Sequence, residues 1–302
     1  MNTKYLFDLR NYASKVGVTL PEIIVDSGEI QRFHVRGEKR GSSNGWYIFN
    51  STHNVCRGVF GNWRTGEYFK WSSTSADRIS VQDLYLSNQA IKKQAVARAK
   101  RALADQRAAA DRAKKKFEEA KPVLNSHPYL VRKNIPPVDA RQIGENLVVP
   151  IYGMPEQIVN LQYISPAGGK WFEKGASKKR CYGKLGRSVT DDAWLCEGYA
   201  TAVSLHLETD QTVFWGIDAN NLVPVAEKLK HLYQNVSFTV CADNDRFHSC
   251  GRNVGLIAAE KAQLVFSSGS ILIPNFKCAH AKCTDFNDWV NCPEGGYKND
   301  AI

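Results

Sequence analysis

Two apolar runs in this 302-residue chain end on acids. AWLC, residues 193–196, leads into Glu197 and Gly198, and SFTVCA, residues 237–242, leads into Asp243 and Asp245. Asp218 follows a third run, TVFWGI, while Asp285 and Asp288 lie in TDFND, beyond a fourth, SILIP. Carboxylates brought to one place repel one another unless a cation compensates them, and oxygen ligands favour a hard divalent ion. Mg²⁺ is therefore the expected metal, with Mn²⁺ able to replace it. In an extended backbone the Asp-x-Asp spacing sends both carboxylates the same way, so Asp243 and Asp245 are expected to share an ion.

Cations accompany the acids. The segment GGKWFEKGASKKRCYGKLG, residues 168–186, carries Lys170, Lys174, Lys178, Lys179, Arg180 and Lys184 among five glycines. It reads as a flexible basic loop able to cradle phosphates. Carboxylates for a metal and cations for phosphate together suit phosphoryl transfer. No G-x-x-x-x-G-K-[ST] occurs, which argues against a motor of the P-loop type. A second set of ligands is softer: His248, Cys250, Cys278, His280, Cys283 and Cys292. Cys278, His280 and Cys283 could bind zinc with Cys250. Their spacing matches no standard finger, so unligated thiols and imidazoles are the expected state.

The elements that must position these groups alternate. From residue 191 onward, buried runs of strand length alternate with amphipathic helical stretches, YATAVSLHLET, LVPVAEKLKHLY and RNVGLIAAEKAQLVF. That rhythm predicts an α/β fold with a largely parallel sheet over residues 191–302, whose ligands sit beyond the carboxyl ends of the strands. The acidic segments fall there, and Gly198 is expected to let the chain turn tightly into the following helix. Residues 123–190 contain a hairpin, NLVVPIYG with QIVNLQYIS, ahead of the basic loop. Residues 83–122 lack glycine, and their one proline, Pro122, closes them, which predicts a long helix. Residues 92–121 hold eleven lysines and arginines against four acids, so this helix is either a solvated spacer or a basic rod along nucleic acid.

Residues 1–82 read as a small β-rich module behind a helix near residues 4–15. Trp46, Trp63 and Trp71 are interleaved with Arg36, Lys39, Arg40, Arg57, Arg64 and Lys70. Rings beside cations suit stacking on unpaired bases, and they equally suit the core of a small sheet.

The blocks LCEGYATAVSL, VCADNDR with GRNVGLIAAEKA, and TDFNDWV resemble the TOPRIM domain in the form found in primases of plasmids, phages and integrative elements. HPYLVRKNI, the hairpin and the basic loop are similar to the part of the primase core that precedes TOPRIM, and the front of the chain resembles the leading module of mobile-element primases. The resemblance implies a TOPRIM-type Rossmann-like sheet joined by the long helix to the β-rich module, with residues 123–190 as the primase-core basic subdomain. It places catalysis and metal binding on Glu197, Asp243 and Asp245, with Asp285 and Asp288 as further metal ligands. Lys170, Lys174, Lys178, Arg180 and Lys184 then bind nucleotide or template, and the tryptophan-rich front binds nucleic acid. Many bacterial primases carry an acid four residues after the glutamate; here that position is Thr201, which puts one metal site in doubt.

The implied activity is DNA-directed primer synthesis on single-stranded template from nucleoside triphosphates, for mobile-element replication, with a replicative helicase as a candidate partner. The alternatives are a metal-dependent DNA nuclease of the same fold and a non-catalytic single-stranded nucleic-acid-binding accessory protein. A net charge of +10 fits a polyanionic partner. The apolar runs are too short for a membrane span, and eight scattered cysteines behind an N-terminus without a secretory pattern suggest the cytoplasm.

Overall fold

The computed structural model describes residues 3–73, 79–154, 156–248, 251–266, 268–280 and 282–294. Contacts divide the chain into two units, Met1–Leu103 and Ala104–Ile302.

In the first unit, helix α1 (Thr3–Lys15) precedes an antiparallel sheet of β1 (Gln31–Phe33), β2 (Gly45–Thr52), β3 (Val55–Asn62) and β4 (Tyr68–Ser72), paired in that order. The β2–β3 turn is His53-Asn54, both with positive φ (50° and 59°), the backbone a tight two-residue hairpin requires. One face of the sheet packs on α1, where Leu9 and Ala13 meet Tyr47, Phe49, Cys56 and Phe60. Helix α2 (Val81–Glu119) begins where Ser80 Oγ accepts the Asp83 N–H at 3.0 Å. Its early turns bond within this unit, through Asn88 to Arg57, Gln94 to Asn50 and Arg101 to Glu29.

In the second unit the later turns of α2 pack Ala113, and Ala120 just past the helix end, against Val148, Leu161 and Tyr163. Those residues belong to an antiparallel sheet of β5 (Lys121–Pro122), β6 (Arg141–Ile143), β7 (Asn146–Tyr152), β8 (Ile158–Ile164) and β9 (Lys170–Phe172). Glu173 anchors the helix: it accepts from Lys116 Nζ at 2.8 Å, Tyr163 Oη at 2.9 Å and Arg112 Nε at 3.5 Å. Burial works against its charge, but these donors outweigh it and hold the carboxyl below its usual range. Alanines of α2 thus form a packing face, and Arg112 and Lys116, each about half exposed, pair with the buried Glu173. Between β5 and β6 lies the short helix α3 (Pro128–Lys133), capped by His127, whose ring accepts the Tyr129 N–H. The predicted hairpin is β7–β8, with Val149 opposite Gln162.

The α/β region follows as β10 (Gly183–Leu185), β11 (Asp192–Cys196), α4 (Tyr199–Thr209), β12 (Thr212–Trp215), α5 (Ala219–Leu232), β13 (Ser237–Cys241), α6 (Val254–Gln263), β14 (Ile271–Leu272) and α7 (Phe286–Asn291). The sheet order is β10-β12-β11-β13-β14, all parallel except β10. Alternate residues bury on opposite faces: Ala193, Leu195 and Phe214 with α5 and α6, and Cys196, Val213 and Trp215 with α4 and the preceding subdomain. The expected α/β architecture with a parallel sheet is present.

The basic segment 168–186 is not one loop. Lys170–Phe172 closes the antiparallel sheet as β9, while Gly183–Leu185 joins the α/β sheet as β10. Gly183 permits that joint, because a Cβ there would fall 1.9 Å from the Trp215 ring. Among the described residues, no helix is long and apolar enough to cross a membrane.

Candidate active site

The acidic segments converge as their spacing requires, because β11 is central and β13 pairs with it directly. Glu197 follows β11 and Asp243 lies just beyond β13, so their carboxylates share the same sheet edge. Asp285, the N-cap of α7, completes the set. These three line a cavity of about 300 Å³ together with Tyr129, Arg132, Lys133, Lys170 and Thr201.

The cavity is under electrostatic strain. Burial, the charges of Asp245 and Asp218, and incomplete relief from Lys170 push the Glu197 carboxyl up to about 7. Burial and the Glu197 charge push Asp243 well above the ordinary carboxylate range, and burial raises Asp285 in spite of Lys133. Asp243 Oδ1 is buried without a hydrogen-bond partner. Orphaned buried oxygens are rare, and three carboxylates with raised pKa values around one fit a divalent cation in chemistry and in charge.

Asp245 is not in the cavity's lining, although its charge bears on Glu197. Its Oδ2 accepts the Gly255 N–H at 2.8 Å, and its own N–H donates to Asn253 Oδ1 at 2.9 Å. Strand β13 ends at Cys241, before both Asp243 and Asp245. Gly255 sets this joint, since a Cβ there would fall 2.5 Å from the Asp243 carbonyl oxygen. Asp288 is also occupied: its Oδ1 takes Lys133 Nζ at 2.9 Å and its Oδ2 accepts the Thr284 N–H at 3.2 Å. Gly198 has extended backbone, φ −127°, open to any residue, so the tight turn does not explain it. Ile217, a cavity wall residue, is the strained one, a β-branched side chain at φ 76°.

Of the six basic-segment cations, five of them expected to bind nucleotide or template, Lys170 alone lines the cavity. Lys178 pairs with Asp218 at 2.8 Å, Arg180 with Glu227 at 3.4 Å and Lys184 with Glu156 at 2.8 Å. Lys174 is exposed, its carbonyl accepting from Arg112. Arg132 and Lys133, which charge counting passed over, occupy the cavity instead; the sequence signal was the block HPYLVRKNI that contains them.

In the first unit the tryptophans divide. Trp71 stacks on Phe49 within the core, at 6.5 Å between centroids. Trp46 points to the opposite face and packs at 5.2 Å on Trp63, which is 54% exposed. Arg32 and Trp46 pair across β1–β2, and Gly61 pairs with Trp46 on one side and Tyr68 on the other, so the outer face carries Arg32, Trp46, Tyr68 and, beside Tyr68, Lys70. Arg36, Lys39, Arg40 and Arg64 are exposed, and Arg57 is bonded to Asn88.

A family model of the Toprim domain matches residues 192–292. Those residues are a Toprim domain. Its sheet and α7 supply Glu197, Asp243 and Asp285, while Lys133 and Lys170 come from the subdomain ahead of it. Two Escherichia coli proteins, each a DNA primase TraC, are similar over 258 residues at 26% and 25% identity; the match covers 82% of this chain and 24% and 18% of theirs. The chain therefore spans about a quarter or less of the curated relatives it matches. Among solved structures, the primase fragment of the bacteriophage T7 primase-helicase aligns at 13% identity over 58% of this chain and 72% of that one, with a TM-score of 0.41. The zinc-binding and RNA polymerase domains of Aquifex aeolicus primase align at 11% identity over 94% and 81%, also at 0.41. The resemblance of the sequence motifs to Toprim-domain primases holds.

Of the five described soft ligands, four bring their ligand atoms within 4.8 Å of one another, apart from this cavity's lining: Cys278, His280, Cys283 and Cys292. Cys292 joins the three expected ligands, and Cys250 lies outside the described residues. Cys292, which closes α7, returns to the loop that precedes the helix.

Proposed function

We propose that the chain is a DNA-directed primase that builds short primers on single-stranded DNA by Mg²⁺-dependent nucleotidyl transfer, in the replication of a mobile element. The observation carrying this reading is the partnerless Asp243 Oδ1 in a cavity shared with Glu197, Asp285 and the cations Lys170, Lys133 and Arg132. Glu197, Asp243 and Asp285 would hold Mg²⁺, with Mn²⁺ able to substitute. When bound, the ion supplies positive charge to the α-phosphate and acidifies the attacking hydroxyl.

The protein's own groups do the rest. Lys170 and Arg132 face the cavity and offer cations to a triphosphate. The first turn of α4 has no side-chain cap, so its N–H groups add to that positive field. Glu197, as a carboxylate, accepts the proton of the primer 3′-hydroxyl as that oxygen attacks the α-phosphate and pyrophosphate departs. The outer face of the first unit, with Trp46, Trp63 and Tyr68 beside cations, suits stacking of unpaired template bases. Relation to DNA primase TraC over most of this chain supports the reading, with template, nucleoside triphosphates and a replicative helicase as partners.

Template-dependent primer synthesis from nucleoside triphosphates in Mg²⁺ is the test. Wild-type protein should extend primers, and Glu197→Gln or Asp243→Asn should abolish synthesis while single-strand binding persists. Degradation of DNA in Mg²⁺ without nucleotides, and no synthesis with them, would instead favour a nuclease.

A further inference from the structure

The Toprim domain contains a second constellation that primer synthesis does not require. Cys278, His280, Cys283 and Cys292 present three sulfurs and one imidazole nitrogen, every pair within 4.8 Å. A tetrahedral zinc with bonds near 2.3 Å to sulfur and 2.0 Å to nitrogen holds its ligand atoms roughly 3.5–3.8 Å apart, so closing on the ion needs a contraction of at most about 1 Å. A disulfide would engage two of these donors and leave two; zinc engages all four. His280 Nε2 lies 3.3 Å from Glu294 Oε1, the carboxylate partner that zinc-bound histidines commonly have. We propose that Cys278, His280, Cys283 and Cys292 bind one structural Zn²⁺.

The placement gives that ion a task. Cys283 and Cys292 bracket Asp285 and Asp288, so the knot ties both ends of the acidic loop and α7 together. The other side of the knot is held by the segment after β13. Arg246 donates to the carbonyls of Cys278 at 3.1 Å and Cys283 at 3.4 Å and lies 4.8 Å over the Phe276 ring. The Asn244 N–H donates to the Thr284 carbonyl at 2.6 Å. The residues between Asp243 and Asp245 and those around Asp285 thus meet at the cluster. The zinc ligands are positioning residues: they fix the loop that brings Asp285 to Glu197 and Asp243.

The experiment uses the full chain, purified reduced, without added metal or chelator. Metal analysis should find about one zinc per chain. Cys278→Ser and Cys292→Ser should each lose at least about nine-tenths of it, and His231→Gln, an exposed histidine on α5, should lose none. Because serine variants can fail to fold, wild-type protein stripped of metal is also titrated with Co²⁺. Intense sulfur-to-cobalt charge-transfer bands should saturate near one equivalent, with the ligand-field spectrum of a four-coordinate ion. Wild-type protein without zinc and without those bands overturns the assignment. So does zinc retained in both serine variants, or a disulfide among the three cysteines in freshly purified protein. None of these readouts involves primer synthesis.

Discussion

Lys133 Nζ lies 2.9 Å from Asp288 Oδ1, a contact between residues 155 apart in the chain. The same ammonium is 3.7 Å from Asp285 Oδ2, so one cation from α3 restrains both acids at the start of α7. Burial disfavours the Lys133 charge, yet the two carboxylates outweigh it and raise the lysine above its usual value. Lys133→Met leaves them uncompensated and should cost about 1–3 kcal/mol at pH 8 by urea denaturation. The loss should shrink at lower pH as Asp285, whose carboxyl is raised by burial, protonates; an equal loss at pH 8 and at pH 4 would show that the lysine acts through its packing alone.

Glu197 makes the metal-free protein pH-sensitive. Its folded carboxyl titrates near 7 against an ordinary 4.5, so its contribution to stability is fully present below about 4.5 and is lost as pH rises through about 7. Glu197→Gln should therefore stabilise the metal-free protein at pH 8 by about 1–3 kcal/mol, and by little at pH 4.5. Calorimetry in chelator checks this, and destabilisation at pH 8 would contradict the charge crowding described for the cavity.

Mg²⁺ should raise the melting temperature of the wild type at pH 8, since an ion that binds only the folded state stabilises it by mass action. Asp243→Asn should remove most of that rise. Glu156→Gln, which alters the carboxylate partner of Lys184, should leave it intact.

Gly255→Ala tests the joint between α6 and the acids. A Cβ at that position meets the Asp243 carbonyl at 2.5 Å, so either the helix or the Asp243 backbone must shift. A stability loss of about 1–3 kcal/mol is expected, with a weaker Mg²⁺-dependent rise in melting temperature. An unchanged response to Mg²⁺ would separate α6 from the cation site.

The tryptophans of the first unit should behave in opposite ways. Trp63→Ala is expected to weaken single-stranded DNA binding by about 1–3 kcal/mol with little change in stability, as removal of a base-stacking ring does. Trp71→Ala should instead destabilise the unit by about 3–5 kcal/mol, as core truncations do. Fluorescence titration and thermal unfolding of both variants distinguish the roles.

Why Trp46 and Trp71 differ was not legible in the sequence. In GWYIFN apolar residues fill both alternating sets, so the pattern has no polar face, and only the register Phe49–Gly58–Trp71 assigns Trp71 to the core. The α/β strands and α4 were legible because both faces of that sheet are buried and helices interrupt the runs at strand length. Glu197 and Asp243 were legible for the same reason, standing where buried strands end. Lys133 was not, because it reaches the site through a tertiary contact that no local spacing encodes. Cys292 was hidden similarly: α7 separates it from Cys283, and the return of the helix closes the gap. The basic segment misled through composition, since Lys178, Arg180 and Lys184 each meet a carboxylate from elsewhere in the fold.

Asn287 Nδ2 donates to the Lys133 carbonyl at 2.7 Å and to Ser204 Oγ at 3.0 Å, joining α7 to α3 and α4. A ribosome makes α7 after both of those partners. At roughly 5–20 residues per second, about eight to thirty seconds separate the synthesis of Lys133 from that of Asp288, 155 residues later. Through that interval the nascent chain can form its hairpin and begin its parallel sheet, yet Lys133 has no acid to hold and Asp285 does not exist. The proposed cation site is therefore completed late, when α7 docks, and a chain arrested before residue 284 would fold around an incomplete set of the proposed ligands.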